Sequence, residues 1–595
     1  MTKASFRPTA RWLEPPEAPA GVAEMLEAAL TPSGERAGKV AVPAAVCRLL
    51  AARGMHTLDE VKRFLRPAIE QVEAPEALAD LVRAAERLLT AMRAGETILV
   101  HGDYDVDGIC STALMTQSLR ALGGKVVPFI PDRLRDGYDL GPAGVAAAIA
   151  NHATVVLTCD CGTTAHAAAD ALRAAGVDLI ISDHHLPGGP LPTAYAVINP
   201  RRVDCTSRDK DLAAVGVAYK LALAVTRLAG GDEQAVHRQL DLVALATIAD
   251  VAPLRGENRV FARLGLQQIQ AGTNIGLKAL VRASRLDGKA MSAGRVGFTL
   301  APRLNALGRL RHALRGVELL LATDEATANG IARECEELNV ARQEMDRRIL
   351  AEALQRIGNL DLEQTWGIVL DSREWHAGVI GIVASRVVEQ TGRPAFMIAI
   401  DETTGRAVGK GSGRSIGAFD LHAALQACTD LLVKHGGHRA AAGLTIDAAR
   451  IPEFAARFNE IAKAQLTADD LVPQLRTDIE LPFDEANAVF EQSLRHLEPF
   501  GVGNPGPVLI SRGVRVARAA RKLGTDHLKV LLETSTGSMD AVGWGMGARA
   551  DRLTVGARID IAYKLDLNEY QGTNTLQVVL QDFRPSTAPD GAANA

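Results

Sequence analysis

The chain has 595 residues, 47% of them apolar and 23% charged, with a formal net charge of −4. That length exceeds one hydrophobic core and implies roughly three to five domains. No apolar run is long enough to span a bilayer, and the charge balance provides no overall cationic field, so any grip on nucleic acid would have to come from a local basic groove. Seven scattered cysteines, an odd number, argue against a disulfide framework and for a reducing compartment. The opening Met-Thr-Lys-Ala-Ser-Phe-Arg-Pro is not followed by the apolar stretch of a secretory signal, so a cytoplasmic address is expected.

Residues 1–70, rich in Pro, Ala and Glu, read as an appended N-terminal segment with a short helix bundle over 43–64. From Thr97 the pattern changes. Strands expected at 97–100, 125–130, 154–157, 178–181 and 194–198 alternate with Ala-rich helices, which implies a parallel sheet with right-handed crossovers in an α/β domain over 71–320. Ligands of such sheets gather at the carboxyl ends of the strands, where His101, Asp160 and Asp183 fall. A charged helix over 321–358, capped by Thr323 or Asp324, carries Ile331, Cys335, Leu338, Met345 and Ile349 on a narrow stripe. It either connects two domains or packs into one core. A second α/β unit over 359–470 starts at Trp366. Short alternating stretches at 528–532, 559–563 and 576–580 suggest a small antiparallel barrel over 471–585, and 586–595 reads as a disordered tail.

Four segments carry the chemistry: Val100-His-Gly-Asp-Tyr-Asp-Val-Asp-Gly108, Thr158-Cys-Asp-Cys-Gly162, Ser182-Asp-His-His185 and Thr247-Ile-Ala-Asp-Val-Ala252. Each follows an apolar run, placing carboxylates and imidazoles where oxygen- and nitrogen-preferring divalent metals could be held. His101, Asp103, Asp105 and Asp107 share one parity and project to one side as far as the segment stays extended, and Gly108 allows a turn into a helix near Ile109. An acidic surface turn and a calcium loop share this shape, but no downstream Glu completes an EF-hand. Asp250 lies in an apolar helical run, where a carboxylate needs a cation or a hydrogen-bonding partner. Cys159 and Cys161 are too closely spaced for a zinc knuckle and are expected to pack beside the Asp160 loop.

These segments resemble the DHH phosphoesterase superfamily, named for the triplet that stands here as Asp183-His184-His185. Ala301-Pro-Arg-Leu-Asn-Ala-Leu-Gly-Arg309, Trp375-His-Ala-Gly-Val-Ile-Gly381, Gly411-Ser-Gly-Arg-Ser415 and Gly436-Gly-His438 make the order similar to its bacterial branch of single-stranded-DNA exonucleases. The resemblance implies a DHH-type parallel-sheet domain, a DHHA1-type substrate-binding domain and an oligonucleotide-binding (OB) fold. It implies two divalent ions, Mn2+ or Mg2+, with one held by His101, Asp105 and Asp160 and the other by Asp107, Asp160, His184 and Asp250. Asp103 and Asp183 would orient these ligands or add to them, and His185 would face the scissile phosphate. Arg303, Asn305, Ser412, Arg414, Gly437 and His438 would bind substrate, the arginines as forks on phosphate. In the barrel, Lys522, Lys529, Trp544, Lys564 and Tyr570 are candidates for single-strand contact, though Trp544 and Tyr570 suit a barrel core equally well.

The implied activity is stepwise 5′-to-3′ hydrolysis of single-stranded DNA to mononucleotides in repair and recombination, with a single-stranded-DNA-binding protein and a helicase as partners. The rivals are another DHH phosphodiesterase, acting on short oligonucleotides or cyclic dinucleotides, a manganese pyrophosphatase, and a non-catalytic replication scaffold. The appended barrel argues against the first two, and the full acid and imidazole set against the scaffold.

Overall fold

The computed structural model describes residues 10–31, 42–133, 135–402, 407–524, 526–570 and 573–586. Five parallel strands form its first sheet, in the spatial order Lys125–Phe129, Thr97–Gly102, Ala153–Cys159, Asp178–Ser182, Ala196–Ile198. Every residue of Thr97–Gly102 is buried, as helices on both faces of a parallel sheet require. Helices Val106–Ala121 and Ala214–Leu228 cover one face, and Pro142–Ala150 and His166–Ala174 the other.

The chain leaves Thr97–Gly102 toward one side and returns on the other, so a crevice opens at the carboxyl ends of the strands, where α/β sheets bind ligands. Register fixes what lines it. Gly102 pairs with Cys159, Cys159 with Ser182, and Ser182 with Ile198. The next residues along the chain, Asp103, Asp160, Asp183 and Asn199, therefore emerge side by side.

Helix Glu325–Ile357 starts where Asp324 accepts the Thr327 N–H at 2.8 Å. Ala328, Ile331, Ala332 and Cys335 lie in the core of the first unit, whereas Ile349, Ala353 and Ile357 lie in that of the second. The helix thus joins two units by belonging to both cores. The second unit has a mixed sheet in the order Leu432–Gly437, Ala441–Asp447, Val408–Arg414, Ala395–Asp401, Ile368–Ser372, with only the last pair parallel. Beyond it, Leu509–Leu523 pairs with both His527–Thr534 and Arg558–Tyr570, closing a barrel. Its ladders are not all antiparallel, because Gly537–Gly543 runs parallel to Thr573–Pro585. The tail residues 587–595 lie outside the described residues.

The N-terminal segment is part of the barrel unit. Helices Val22–Leu30, Ala44–Ala52 and Leu58–Leu65 contribute Leu26, Leu49, Leu50 and Val61 to the same core as Leu528, Ile561 and Val578. Arg11–Leu13 pairs in parallel with Gln474–Arg476, and Trp12 Nε1 donates to Asp582 at 2.8 Å. The first unit in turn touches this assembly directly: Leu254 N–H donates to Val502 O at 2.7 Å and Arg255 Nε to Gly503 O at 2.7 Å. Contacts therefore run in a closed circuit from the first unit through the long helix to the second, through 466–480 to the barrel, and back.

Arg259 secures that closure. Its side chain is buried, and it donates to the carbonyls of Phe64, Leu497, Glu498 and Pro499 with its guanidinium 3.6 Å from the Phe64 ring centroid. Burial, with repulsion from Arg263 and Arg53, lowers its pKa to about 9, so it remains charged at neutral pH. Arg259→Ala would strand several buried carbonyls and is expected to cost about 3 kcal/mol in urea unfolding, with proteolysis newly directed to the junction between the first unit and the barrel. Arg259→Lys should recover little of this, since one ammonium cannot reach four carbonyls.

Candidate active site

The loop after the first strand is shaped by its own carboxylates. Asp105 Oδ1 accepts the N–H groups of Asp107 (2.9 Å) and Gly108 (3.2 Å), capping helix Val106–Ala121. The helix therefore begins three residues before Ile109, and strand parity ends at Gly102. Asp105 and Asp107 reach the crevice from a cap and a first helical turn. A Cβ at Gly108 would lie 2.4 Å from Asp103 O, so only glycine permits this turn. Both oxygens of buried Asp107 are held, by Ala214 N–H at 2.8 Å and Val215 N–H at 2.9 Å, at the amino end of helix Ala214–Leu228.

Asp160 adopts φ 69° and donates its N–H to Ser182 O at 3.0 Å. Its Oδ1 lies 3.2 Å from His184 Nε2, which is also 3.9 Å from Oδ2 of Asp250, the residue that ends helix Leu240–Ala249. With His184 Nδ1 donating to Leu212 O (3.1 Å), the lone pair sits on Nε2 and faces the carboxylates. Asp183 is a splint: its Oδ1 accepts from His184 N–H (2.7 Å) and His185 Nδ1 (2.7 Å), and its Oδ2 from Thr163 N–H (3.0 Å).

Three groups of donor atoms result, each within 4.8 Å: Asp103, Asp105 and Asp160; Asp107, His184 and Asp250; Asp160, His184 and His185. Burial and mutual repulsion push Asp103, Asp107 and Asp160 well above the usual carboxylate range, and Asp250 up to about 7. Burial lowers His101 and His184 to about 4, leaving both neutral and able to ligate. Burial opposes a charge on His185, but the bond to Asp183 prevails and raises it to about 9, so it stands as an imidazolium. Asp160 Oδ1 and Asp103 Oδ1 are buried without a hydrogen bond. Unpartnered carboxylate oxygens beside a neutral imidazole fit hard divalent cations such as Mn2+ or Mg2+.

His101 stands apart from these groups. Its Nδ1 is 3.5 Å from Cys161 Sγ and its ring 5.3 Å from that of Phe129, while its unpartnered Nε2 faces Gly144, where a Cβ would come within 2.7 Å. Cys159 and Cys161 are buried beside the loop.

Of the expected substrate residues, Arg414 and Ser412 lie together at the end of Val408–Arg414, with Arg414 Nη1 donating to Ser412 Oγ at 3.3 Å. A side chain at Gly381 would meet that Oγ at 2.9 Å. Gly437 and His438 form the neighbouring hairpin turn, with Gly437 at φ 133°. Asn305 is half-buried on helix Ala301–Leu310, whose Gly308 would drive a Cβ to 2.2 Å from Tyr104 O in the Asp103–Asp107 loop. Arg303 is engaged elsewhere, pairing with Glu336 of the long helix and donating to Thr299 O at 2.6 Å.

Sequence reading missed several groups. Arg309 donates to Gly378 O across the two units at 2.9 Å, and burial together with Arg133, Arg342 and Arg414 lowers it to about 10. These four arginines make a cationic wall in which Arg309 acts on Asp105 and Arg133 on Asp103, while Arg342 lies 3.9 Å from its own counter-charge, Asp346. Tyr138 contacts His185 (OH to Nε2, 3.2 Å), and Asp139 accepts Gly162 N–H at 2.7 Å, bracing the Asp160 loop. Asn199 Nδ2 donates to His185 O at 2.8 Å. On the barrel, Arg515, Arg518 and Arg521, which were missed, are exposed along Leu509–Leu523 beside the expected Lys522, also exposed. Trp544 is exposed, edge-on to His527 at 4.9 Å, rather than in the core. Lys529 pairs with Asp540 at 2.9 Å, Lys564 is half-buried, and the Tyr570 side chain lies outside the described residues.

Family models match three stretches: the DHH family N-terminal domain at residues 97–247, the DHHA1 domain at 364–464 and the RecJ OB domain at 477–582. The single-stranded-DNA-specific exonuclease RecJ of Escherichia coli (strain K12) is 36% identical over 566 residues, covering 91% of this chain and 96% of its own. The chain belongs to the RecJ family. The RecJ of Bacillus subtilis (strain 168) is also 36% identical, over 90% of this chain and 67% of its own. The crystal structure of RecJ in complex with Mn2+ from Thermus thermophilus matches 97% of this chain and 80% of that one, with a TM-score of 0.81 at 33% identity; the Mg2+ complex gives 0.77 at 31%. Among the described residues, no helix is long and apolar enough to cross a membrane.

The crowded carboxylates make the metal-free protein pH-sensitive. Asp250, raised in the folded state, contributes stability that is complete below the ordinary carboxylate pKa and lost as pH rises through about 7. In EDTA, Asp250→Asn should flatten the decline in melting temperature over about pH 5 to 8, and Mn2+ should reverse that decline in the wild type but less so in the variant.

Proposed function

We propose that this chain is a metal-dependent exonuclease that degrades single-stranded DNA from the 5′ end, releasing mononucleotides. The observation that carries the reading is the convergence of Asp103, Asp105, Asp107, Asp160, Asp250, His184 and His185 at the switch point of a DHH sheet, in a chain whose barrel is of the RecJ OB type. Neither another DHH phosphodiesterase nor a scaffold accounts for both.

Asp105 and Asp160, completed by His101 or by the nearby Asp103, would hold one divalent ion, and Asp107, Asp160, His184 and Asp250 a second. Such a pair supplies an activated water and charge neutralisation for phosphodiester hydrolysis. The protein's own groups do the rest. Ala214 and Val215 N–H fix Asp107, Leu212 O fixes the tautomer of His184, and Asp183 holds His185 as an imidazolium aimed at the scissile phosphate. Arg414 and Ser412, with Gly437 and His438 beside them, would take the 5′-terminal phosphate by charge-assisted bonds. The remaining arginines of the wall would track the backbone, and Arg303 would join them on release from Glu336. The exposed arginines of the barrel and Trp544 would hold the trailing strand. This reading places the protein in the cytoplasm, working beside a single-stranded-DNA-binding protein and a helicase in repair and recombination.

End-labelled single- and double-stranded DNA, incubated with and without Mn2+, tests the proposal directly: metal-dependent release of 5′-labelled mononucleotide from single strands alone is expected. Asp160→Ala should abolish turnover while leaving the circular dichroism spectrum intact; undiminished hydrolysis would sink the two-metal assignment. Arg414→Ala should lower digestion of 5′-phosphorylated strands by roughly 30- to 1,000-fold and narrow the difference between phosphorylated and unphosphorylated ends.

A further inference from the structure

Phe298 is 89% exposed, more than Trp544 (57%) or Tyr138 (49%). It sits in a single π-helical turn, Val296–Leu300, set between Ala293–Arg295 and Ala301–Leu310. Pro302 explains that turn. It has no N–H to offer the Phe298 carbonyl four residues back, and its ring would clash with that carbonyl in a regular helix. The backbone widens instead, with Ala301 N–H reaching Val296 O. Phe298 is thereby turned outward into water rather than toward the core that receives Val296 and Leu300.

Its location is not arbitrary. A Cβ at Gly297 would contact Ile248, two residues before Asp250, so the turn lies against the helix that ends in that carboxylate. Other exposed apolar groups edge the same centre: Val251 (61%) follows Asp250, Leu186 (59%) follows His185, and Tyr138 touches His185. An acidic centre with an apolar rim and an arginine wall matches a ligand whose phosphates and flat apolar faces alternate. A nucleobase in a duplex already has both faces stacked, so only an unpaired base can offer one to the rim.

We infer that Phe298 is the platform on which one unpaired base of the entering strand stacks, a few nucleotides from the scissile bond, and so helps set the preference for single strands; this rests on the nuclease reading above. The test uses the full-length enzyme with Mn2+ and 5′-phosphorylated single strands in which one abasic site is moved along from the 5′ end. Wild type is expected to lose about tenfold in kcat/KM at one abasic position, the loss residing in KM. Phe298→Ala should show a similar loss on unmodified DNA and no further loss at that position, whereas Phe298→Trp should restore the wild-type profile. A Phe298→Ala profile that keeps the position-dependent loss, or a wild-type profile without one, would overturn the inference while leaving the nuclease reading standing. A wild type that leaves unmodified single strands intact would remove both.

Discussion

Like charges brought together out of water are the constraint around which this molecule is built. Asp103, Asp105, Asp107, Asp160 and Asp250 converge from three backbone segments into a space where their repulsion is poorly screened, and burial alone would neutralise most of them. The fold holds them there through groups that cannot withdraw: the register of four parallel strands, the amino ends of two helices, and glycines at positions 108 and 308 where any side chain would collide with backbone. The repulsion is a property of the protein before any ion arrives, and it is what makes the site attractive to one.

Beside this negative centre stand Arg309 of helix Ala301–Leu310, Arg414 of the second unit, Arg342 of the long helix and Arg133 of the loop after Lys125–Phe129, and only Arg342 among them has a carboxylate, Asp346, as its pairing partner among the described ion pairs. Arg309 is held against Gly378 O, and burial, with repulsion from three other guanidiniums, lowers its pKa. Two opposed charge excesses across one crevice suit a chain of phosphates carrying cations, which satisfies both sides. The long helix sets the spacing between them, because its two ends are locked into separate cores.

Much of this was legible in the sequence. The five catalytic strands were read because strands buried on both faces appear as unbroken apolar runs, and Asp250 because a carboxylate in an apolar helix lacks an obvious partner. Strand Leu509–Leu523 escaped notice, since its alternation is broken by irregular register and by exposed arginines. Gly537–Gly543 is too poor in β-branched residues to announce itself. Tyr138, Asp139 and Arg133 sit in a loop with no periodicity to mark them. That Arg303 meets Glu336 and that Phe64 meets Arg259 are facts of tertiary contact, carried by no local pattern.

The insertion of the N-terminal helices into the barrel has a consequence for how the molecule is made. Leu26, Leu49, Leu50 and Val61 leave the ribosome more than 400 residues ahead of the strands that cover them. Until those strands follow, the side chains lack the barrel core that buries them, although the catalytic sheet, whose strands fall within about a hundred residues, can already assemble. These helices, made ahead of the catalytic sheet, are thus buried only after the barrel strands follow, and in the interval their apolar faces are open to wrong partners.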